Sequence, residues 1–240
     1  MALTSAAFTS AAVTLAAKEN DLSPTRDLSS APSSRLEPSS WVVRHLPAID
    51  AASHPHPWLI DWACGHGRHS RLALGRGWSV FAVDRDDQAI AGLTRWQSPQ
   101  HPGTDQEHLH ARCIDLETDS TKEQLKRAMA AKAIGGIGAI VVCHYLFRKA
   151  WTSMVGLLDP GGYLICETFA QGQERLGRPS RGAFLLQAGE LLAKAQQSQL
   201  AILAYEDLLQ SDESGKPIAR LQRLYARKHS QASAADMWLG

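Results

Sequence analysis

The chain has 240 residues, of which 44% are hydrophobic and 20% charged, so it suits one ordinary domain with a sizeable core and a tail. Lys and Arg number 25 against 24 Asp and Glu, a net charge of +1 that exerts no global pull toward nucleic acid, and no apolar run approaches the roughly 18 residues a membrane span needs. Cys64, Cys113, Cys143 and Cys166 lie far apart with no CxxC pair, which excludes a disulfide framework or zinc ribbon and points to a reducing, cytoplasmic setting.

Ala, Ser and Thr supply 19 of the first 35 residues, too little apolar surface to offset chain entropy, so residues 1–35 read as a disordered tail. Ala11–Ala17 resembles a short apolar stretch of an export signal. However, no Lys or Arg precedes it, and Lys18, Glu19 and Asn20 stand where small cleavage-site residues belong. Residues 36–57 form a lead-in: a short helix over Trp41–Leu46 ended by Pro47, then a Pro-rich loop at His54–Pro57. The domain proper is expected over 58–229, and 230–240 as a flexible terminus.

From Trp58 onward, short apolar runs alternate with helical stretches. Leu59–Ala63 is the first strand, with a helix over Arg68–Leu74 closed by Gly75 or Gly77. Ser79–Asp84 is the second strand, with a helix over Gln88–Trp96; the stretch 98–107 is a loop. His110–Ile114 is a third strand, and Ser120-Thr121-Lys122-Glu123 matches a capping box that opens a helix to Ala133. Ala139–Cys143 is the fourth strand, Trp151–Leu158 a helix, Asp159–Gly162 a turn, and Tyr163–Glu167 the fifth strand. A helix over Leu185–Gln197 then precedes two strands, Leu200–Glu206 and Ile218–Ala226, joined by a polar turn. Apolar strands each followed by a helix indicate an α/β fold, a doubly wound parallel sheet covered on both faces and ending in an antiparallel hairpin.

The first strand runs into Asp61-Trp62-Ala63-Cys64-Gly65-His66-Gly67-Arg68. A Gly-x-Gly loop between a strand and a helix lets backbone pass close to a nucleotide. The dinucleotide form requires a third glycine where this chain has Ser70, and the Gly-Lys-Ser/Thr of a P-loop is absent. Asp84 ends the second strand, where a carboxylate accepts from both ribose hydroxyls.

With these residues in order, Asp61-x-x-Cys64-Gly65-x-Gly67-Arg68 resembles motif I of class I S-adenosylmethionine-dependent methyltransferases, and the likeness extends from Trp58 to Lys228. Within that superfamily the tellurite-resistance-type branch is the nearest in its loops. The resemblance implies a seven-stranded, mostly parallel Rossmann-like sheet with a C-terminal antiparallel hairpin. It also implies S-adenosyl-L-methionine as cofactor, held by Asp61, Ala63, Cys64, Gly65, Gly67, Arg68, Asp84, Arg85, Asp115, Leu116 and Cys143. Asp84 would be the ribose acid, and Asp115 would lie where the adenine amino group is held. Ala63 stands where many relatives have glycine, and His66 where they have a smaller residue. The implied adjacency of the first and fourth strands makes Cys64 and Cys143 neighbours.

A sulfonium methyl group is already activated, so the protein must supply alignment and water exclusion. A base is required only when the acceptor carries a proton. After the fourth strand, His144 has two readings, a base or a loop-packing residue, and Tyr145 is either a wall of the acceptor site or packing. Arg148, Arg175 and Arg178 are candidates for an anionic small-molecule acceptor, with the segment Ala170–Gly182 as a lid or as a solvated loop. Asn/Asp-Pro-Pro-Tyr is absent, which with the near-neutral charge speaks against nucleic acid. No metal is expected, since the pairs His66/His69 and His108/His110 lack a third ligand at suitable spacing. Two other functions remain open: an NAD-dependent oxidoreductase on a related sheet, and a non-catalytic S-adenosylmethionine-binding module.

Overall fold

A computed structural model of the protein describes residues 37–97 and 108–230. The expectations for the tail at 1–35, for the loop at 98–107 and for the terminus beyond 230 fall outside the described residues. Among them the elements follow one another as α1 (Ser40–His45), β1 (Trp58–Trp62), α2 (Arg68–Leu74), β2 (Ser79–Asp84), α3 (Asp87–Trp96), β3 (Leu109–Cys113), α4 (Thr121–Ala130), β4 (Ala139–Cys143), α5 (Trp151–Leu157), β5 (Tyr163–Phe169), α6 (Glu190–Gln197), β6 (Leu200–Ser211) and β7 (Pro217–Lys228).

The sheet order is β3-β2-β1-β4-β5-β7-β6. Strands β1 to β5 pair in parallel, while β7 runs antiparallel to both β5 and β6. The chain winds outward through β2 and β3, then returns to lay β4 beside β1. That reversal opens a crevice at the carboxyl ends of β1 and β4, where ligands of doubly wound sheets bind. β4, Ala-Ile-Val-Val-Cys, is buried at all five positions, as a central parallel strand covered on both faces must be.

Alternate strand residues feed two apolar layers. Leu59, Val80, Val141 and Ile165 pack with α1–α3 residues such as Trp41, Ala73 and Leu93. Ile60, Phe81, Ile140 and Leu164 pack on the opposite face with Leu125, Val155 and Leu191 of α4–α6. The lead-in is an integral part of the first layer rather than a prelude to it. Trp41, Val42 and Leu46 are at most 2% exposed, and the Trp41 indole N–H donates to Leu224 O at 3.2 Å. Burial of each such side chain contributes roughly 1.5–3 kcal/mol.

Three local expectations change. The capping box at Ser120 does not form: Ser120 makes no capping hydrogen bond, and Thr121 Oγ1 instead donates to the carbonyls of Asp115 and Thr118. α6 begins at Glu190 instead of Leu185, because Leu185 and Leu186 are buried as extended chain, Leu186 bridging Ala170. The tertiary pull of that apolar pair overrides its helical spacing. The hairpin strands are 12 residues each, longer than their apolar cores suggest. Cys113 is exposed at the end of β3, while the other three thiols are buried.

Candidate active site

The loop from β1 to α2 uses left-handed backbone at Ala63 (φ 55°), Gly65 (φ 51°) and Gly67 (φ 75°). The two glycines serve different ends. A Cβ on Gly67 would sit 2.6 Å from Leu93 Cδ1, so this glycine lets α3 pack against the loop. A Cβ on Gly65 would meet nothing within 4 Å, so its face opens outward. Cys64 N–H donates to Val83 O at 3.0 Å, tying the loop to β2.

Beneath the loop, Asp61 is 1% exposed and accepts the Ser70 hydroxyl at 2.6 Å. Burial pushes its carboxyl up to about 6 against the opposing pull of the Ser70 hydrogen bonds. Gly67 offers α2 no side-chain cap, and Asp61 braces the first turn from the neighbouring strand through the Ser70 hydroxyl. Its carboxylate therefore supports the loop from below.

Asp84 stands at the end of β2 with Oδ2 accepting Gly65 N–H at 2.7 Å and Oδ1 accepting Asp86 N–H at 2.9 Å. Ile114 N–H donates to Asp84 O at 2.8 Å, which brings Asp115 alongside. Asp115 is exposed, with Oδ1 accepting Glu117 N–H, whereas Leu116 turns into the core. Arg85 is exposed beyond Asp84, and Tyr145 lies within the electrostatic reach of Arg85, Asp115 and Glu117. Gly65, Asp84, Arg85 and Asp115 thus gather at the carboxyl ends of β1 to β3, with Tyr145 in their electrostatic reach, and they offer a carboxylate and open backbone of the kind that suits a ribose.

At the end of β4, Cys143 is buried and its thiol pKa is pushed well above the ordinary value, as are those of Cys64 and Cys166. All three remain protonated packing groups, and Cys64 and Cys143 share one apolar layer as the strand adjacency implies. His144 follows in left-handed backbone (φ 56°), with its N–H bonded to Glu167 O at 2.8 Å. Its ring stacks on Phe169 at 4.6 Å; Nε2 is 3.3 Å from Glu167 Oε1, and Nδ1 is 3.4 Å from an Arg68 Nη2.

Glu167 is 3% exposed and accepts Arg223 Nε at 2.6 Å, across the β5–β7 pair in which these two residues are in register. Burial alone would push its carboxyl up. Hydrogen bonding from His144 and the charge of Arg223 outweigh that and bring it down to about 2. Ser39 adds a smaller downward pull on Glu167, Ser39 N–H donates to His69 Nε2 at 3.1 Å, and Glu37 O accepts Arg68 Nη1 at 3.1 Å. His69 is held down to about 3, first by burial and then by the charges of Arg68 and His144. Sequence reasoning passed over Glu167, Arg223 and Ser39, and weighed His69 only as half of a metal pair. The signal for Glu167 was a carboxylate in the apolar run Tyr-Leu-Ile-Cys-Glu, a charge that a buried strand holds only with a partner.

Of the arginines proposed for the acceptor, Arg148 has a different task. Its Nε and Nη2 grip Glu190 at 2.6 and 2.8 Å, while Nη1 and Nη2 bond the carbonyls of Ala183 and Leu185. It ties the segment before α6 to the loop after β4. Arg175 and Arg178 are exposed on that segment. Nearby, Trp62, Tyr145, Phe147, Trp151 and Thr168 line a narrow, mainly apolar cleft on the α4–α6 face. Trp62 Nε1 and Tyr145 Oη are both buried, and they face each other. Among the described residues no group of three His, Cys, Asp or Glu is arranged to hold a metal, and no helix is long and apolar enough to cross a membrane.

Neither protein-family models nor curated proteins match the chain. Solved structures do. TehB from Haemophilus influenzae aligns over 71% of this chain with 21% identity and a TM-score of 0.50; the chain spans only 57% of that protein. Magnesium protoporphyrin IX methyltransferase from Synechocystis, solved with S-adenosylmethionine bound, aligns over 78% of both chains at 16% identity and a TM-score of 0.51. The [4+2]-cyclase SpnF aligns over 79% of this chain and 81% of its own at 15% identity and 0.54. At such identities the likeness is one of architecture, and SpnF shows that the architecture alone does not dictate the reaction. The chain has the Rossmann-like fold of the class I S-adenosylmethionine-dependent methyltransferases.

Proposed function

We propose that the protein is an S-adenosyl-L-methionine-dependent methyltransferase acting on a small-molecule acceptor. The observation that carries this reading is the pairing of Gly65 with Asp84: an open, side-chain-free backbone face 2.7 Å from a carboxylate at the sheet's crevice. The donor set fits the cofactor. Asp84 keeps lone pairs for ribose hydroxyls, Gly65 admits close passage of the ligand, and Asp115 and Arg85 border the base. The loop residues Ala63, Cys64 and Gly67 shape the backbone, while Asp61 and Leu116 support it from beneath.

When bound, S-adenosylmethionine supplies a methyl group activated by its sulfonium charge. The chain's own work is to orient the two partners and to exclude water. Tyr145 and the aromatic cleft beneath it form the wall on the acceptor side, and Arg175 and Arg178 lie on the exposed segment able to meet an anionic acceptor. A cytoplasmic setting suits four free cysteines.

An NAD-dependent oxidoreductase is disfavoured by Ser70, whose hydroxyl is committed to Asp61 where a dinucleotide fold places its third glycine. Calorimetric titration with S-adenosylhomocysteine and with NAD separates the two: the first should bind, and binding of NAD alone overturns the proposal. A methyl-transfer assay across small acceptors distinguishes an enzyme from a module that only binds.

A further inference from the structure

The aromatic side chains of the cleft on the α4–α6 face come from three parts of the chain: Trp62 ends β1, Tyr145 and Phe147 follow β4, and Trp151 opens α5. The cleft begins at the carboxyl ends of β4 and β5, where Tyr145 directly follows His144 and Thr168 directly follows Glu167. Two of its rings are held firmly. Trp62 is 1% exposed, and Trp151 Nε1–H donates to Ser198 Oγ at 2.8 Å while Lys194 Nζ lies 5.7 Å from the ring centroid. Fixed aromatic walls around a narrow slot select by thickness. A flat ring stacks on them or meets them edge-on, and a puckered saturated ring of the same outline does neither. Phe147 is the wall with room to yield. It is half-buried and also borders a second, roomier hollow rimmed by Thr118, Lys122 and Ser153, so its ring can swing that way to widen the slot.

Two hydroxyls in this slot are left with something to give. Trp62 Nε1–H, which can only donate, faces the Tyr145 oxygen, so the Tyr145 proton is free for another acceptor. Burial pushes that phenol up, so it keeps its proton at neutral pH. Thr168 is 2% exposed and lines the cleft, and its hydroxyl makes no hydrogen bond among the described residues. A buried donor without an acceptor is costly, and a ligand oxygen placed between Tyr145 and Thr168 removes that cost.

We infer that this cleft seats the methyl acceptor, and that the acceptor is a flat aromatic molecule carrying an oxygen substituent that accepts hydrogen bonds from Tyr145 and Thr168. This rests on the methyltransferase reading and names the class of its small molecule. Trp62 and Trp151 set the shape that enters, and the two hydroxyls set its orientation.

The test follows the indole N–H signals of the full chain by nitrogen-15 NMR, with Trp62 and Trp151 assigned from Trp62→Phe and Trp151→Phe. The probes are 2-naphthol and decahydro-2-naphthol, which keeps the outline and the oxygen but is not flat. 2-Naphthol should shift both signals saturably, and the decahydro compound should bind about tenfold more weakly or worse. Tyr145→Phe and Thr168→Val keep the shape and delete a hydroxyl, and each should weaken 2-naphthol about three- to tenfold. Signals that stay in place, or equal affinity for the flat and saturated probes, overturn the assignment of the cleft. Unchanged affinity in both hydroxyl variants overturns the placement of the oxygen. In a methyl-transfer panel of 2-naphthol, 2-naphthoate and their decahydro counterparts, the flat members should give product. No product from either of them, or equal product from the saturated ones, overturns the acceptor class. Calorimetry with S-adenosylhomocysteine separates the two levels. If it binds and 2-naphthol does not, the cleft inference fails and the methyltransferase reading stands. If 2-naphthol binds and it does not, that reading fails and takes the acceptor role of the cleft with it.

Discussion

The hydroxyl of Ser70 donates a 2.6 Å hydrogen bond to Asp61 Oδ2, joining the first turn of α2 to the last residues of β1, with the serine fully buried and the aspartate 1% exposed. The bond holds the glycine loop between them in place. Ser70→Ala leaves a buried carboxylate short of a partner and should cost about 1–3 kcal/mol, read as a lowered denaturation midpoint. Ser70→Gly should bring no NAD binding, because the loop it anchors would lose support.

Gly65 and Gly67 predict opposite separations of stability from binding. Gly67→Ala drives a Cβ into Leu93 and should destabilise the fold by more than the ~1 kcal/mol expected of left-handed backbone alone. Gly65→Ala has room for its methyl, so its stability loss should stay near that ~1 kcal/mol, yet it fills the open face beside Asp84. Chemical denaturation and S-adenosylhomocysteine titration on both variants should show the first unstable and the second folded but weakly binding.

Asp84→Ala removes the acceptor for Gly65 N–H and the proposed partner of the ribose. Charge-assisted hydrogen bonds of this kind contribute about 1.5–3 kcal/mol, so S-adenosylhomocysteine should bind at least tenfold more weakly by calorimetry. An Asp84→Ala chain that binds as the wild type does would remove Asp84 from the site.

Acid stability is set mainly by three buried groups with different signs; His45, His54 and His110 are also lowered by burial and add a smaller loss on the side of His69. His69 is lowered from 6.5 to about 3 and Glu167 from 4.5 to about 2, so each contributes stability that is present above its ordinary value and is lost as pH falls toward its folded one. Asp61, raised from 3.8 to about 6, contributes stability below 3.8 that is lost as pH rises through 6. Between pH 6 and 4.5 His69 and Asp61 oppose each other, at up to ~1.4 kcal/mol per pH unit for each. The denaturation midpoint should therefore change little in that window and fall steeply between pH 4.5 and 3. His69→Gln should make stability rise as pH drops from 6 to 4.5. A variant whose profile matches the wild type's would refute the neutral buried His69.

Arg148 and Arg178 should part company. Arg148→Ala frees the segment before α6, so hydrogen exchange at residues 183–190 should accelerate, with a stability loss of about 1 kcal/mol for a half-exposed pair. Arg178, exposed on the same segment, should leave stability unchanged on replacement by Ala and should lower turnover only of an anionic acceptor.

The chain's alternation of strands and helices was legible because its apolar runs are bounded by strong turn signals, such as Asp159-Pro-Gly-Gly and the Asp61–Arg68 loop. The errors share a cause. Leu185 and Leu186 have helical spacing with the residues that follow, but they are drawn into extended chain beside Ala170. Ser120 and Glu123 have the letters of a capping box, but Thr121 reached the carbonyl of Asp115 first, and Glu123 lies near Lys126. In each case a group ahead of the expected helix offered a better partner: Ala170 for Leu186, and the Asp115 carbonyl for Thr121.

Patterns within windows of about ten residues were enough for the order of elements, the doubly wound class and the glycine loop with its acid, since turn chemistry and hydrophobic period are local properties. The polar network behind the crevice was decided only in three dimensions. Glu167 meets Arg223 across 56 residues, Ser39 meets His69 across 30, and Arg68 meets His144 across 76. No period or spacing encodes such pairs. They exist because the reversal between β1 and β4, and the antiparallel return of β7, bring those side chains together around Glu167, a buried charge that must find a partner.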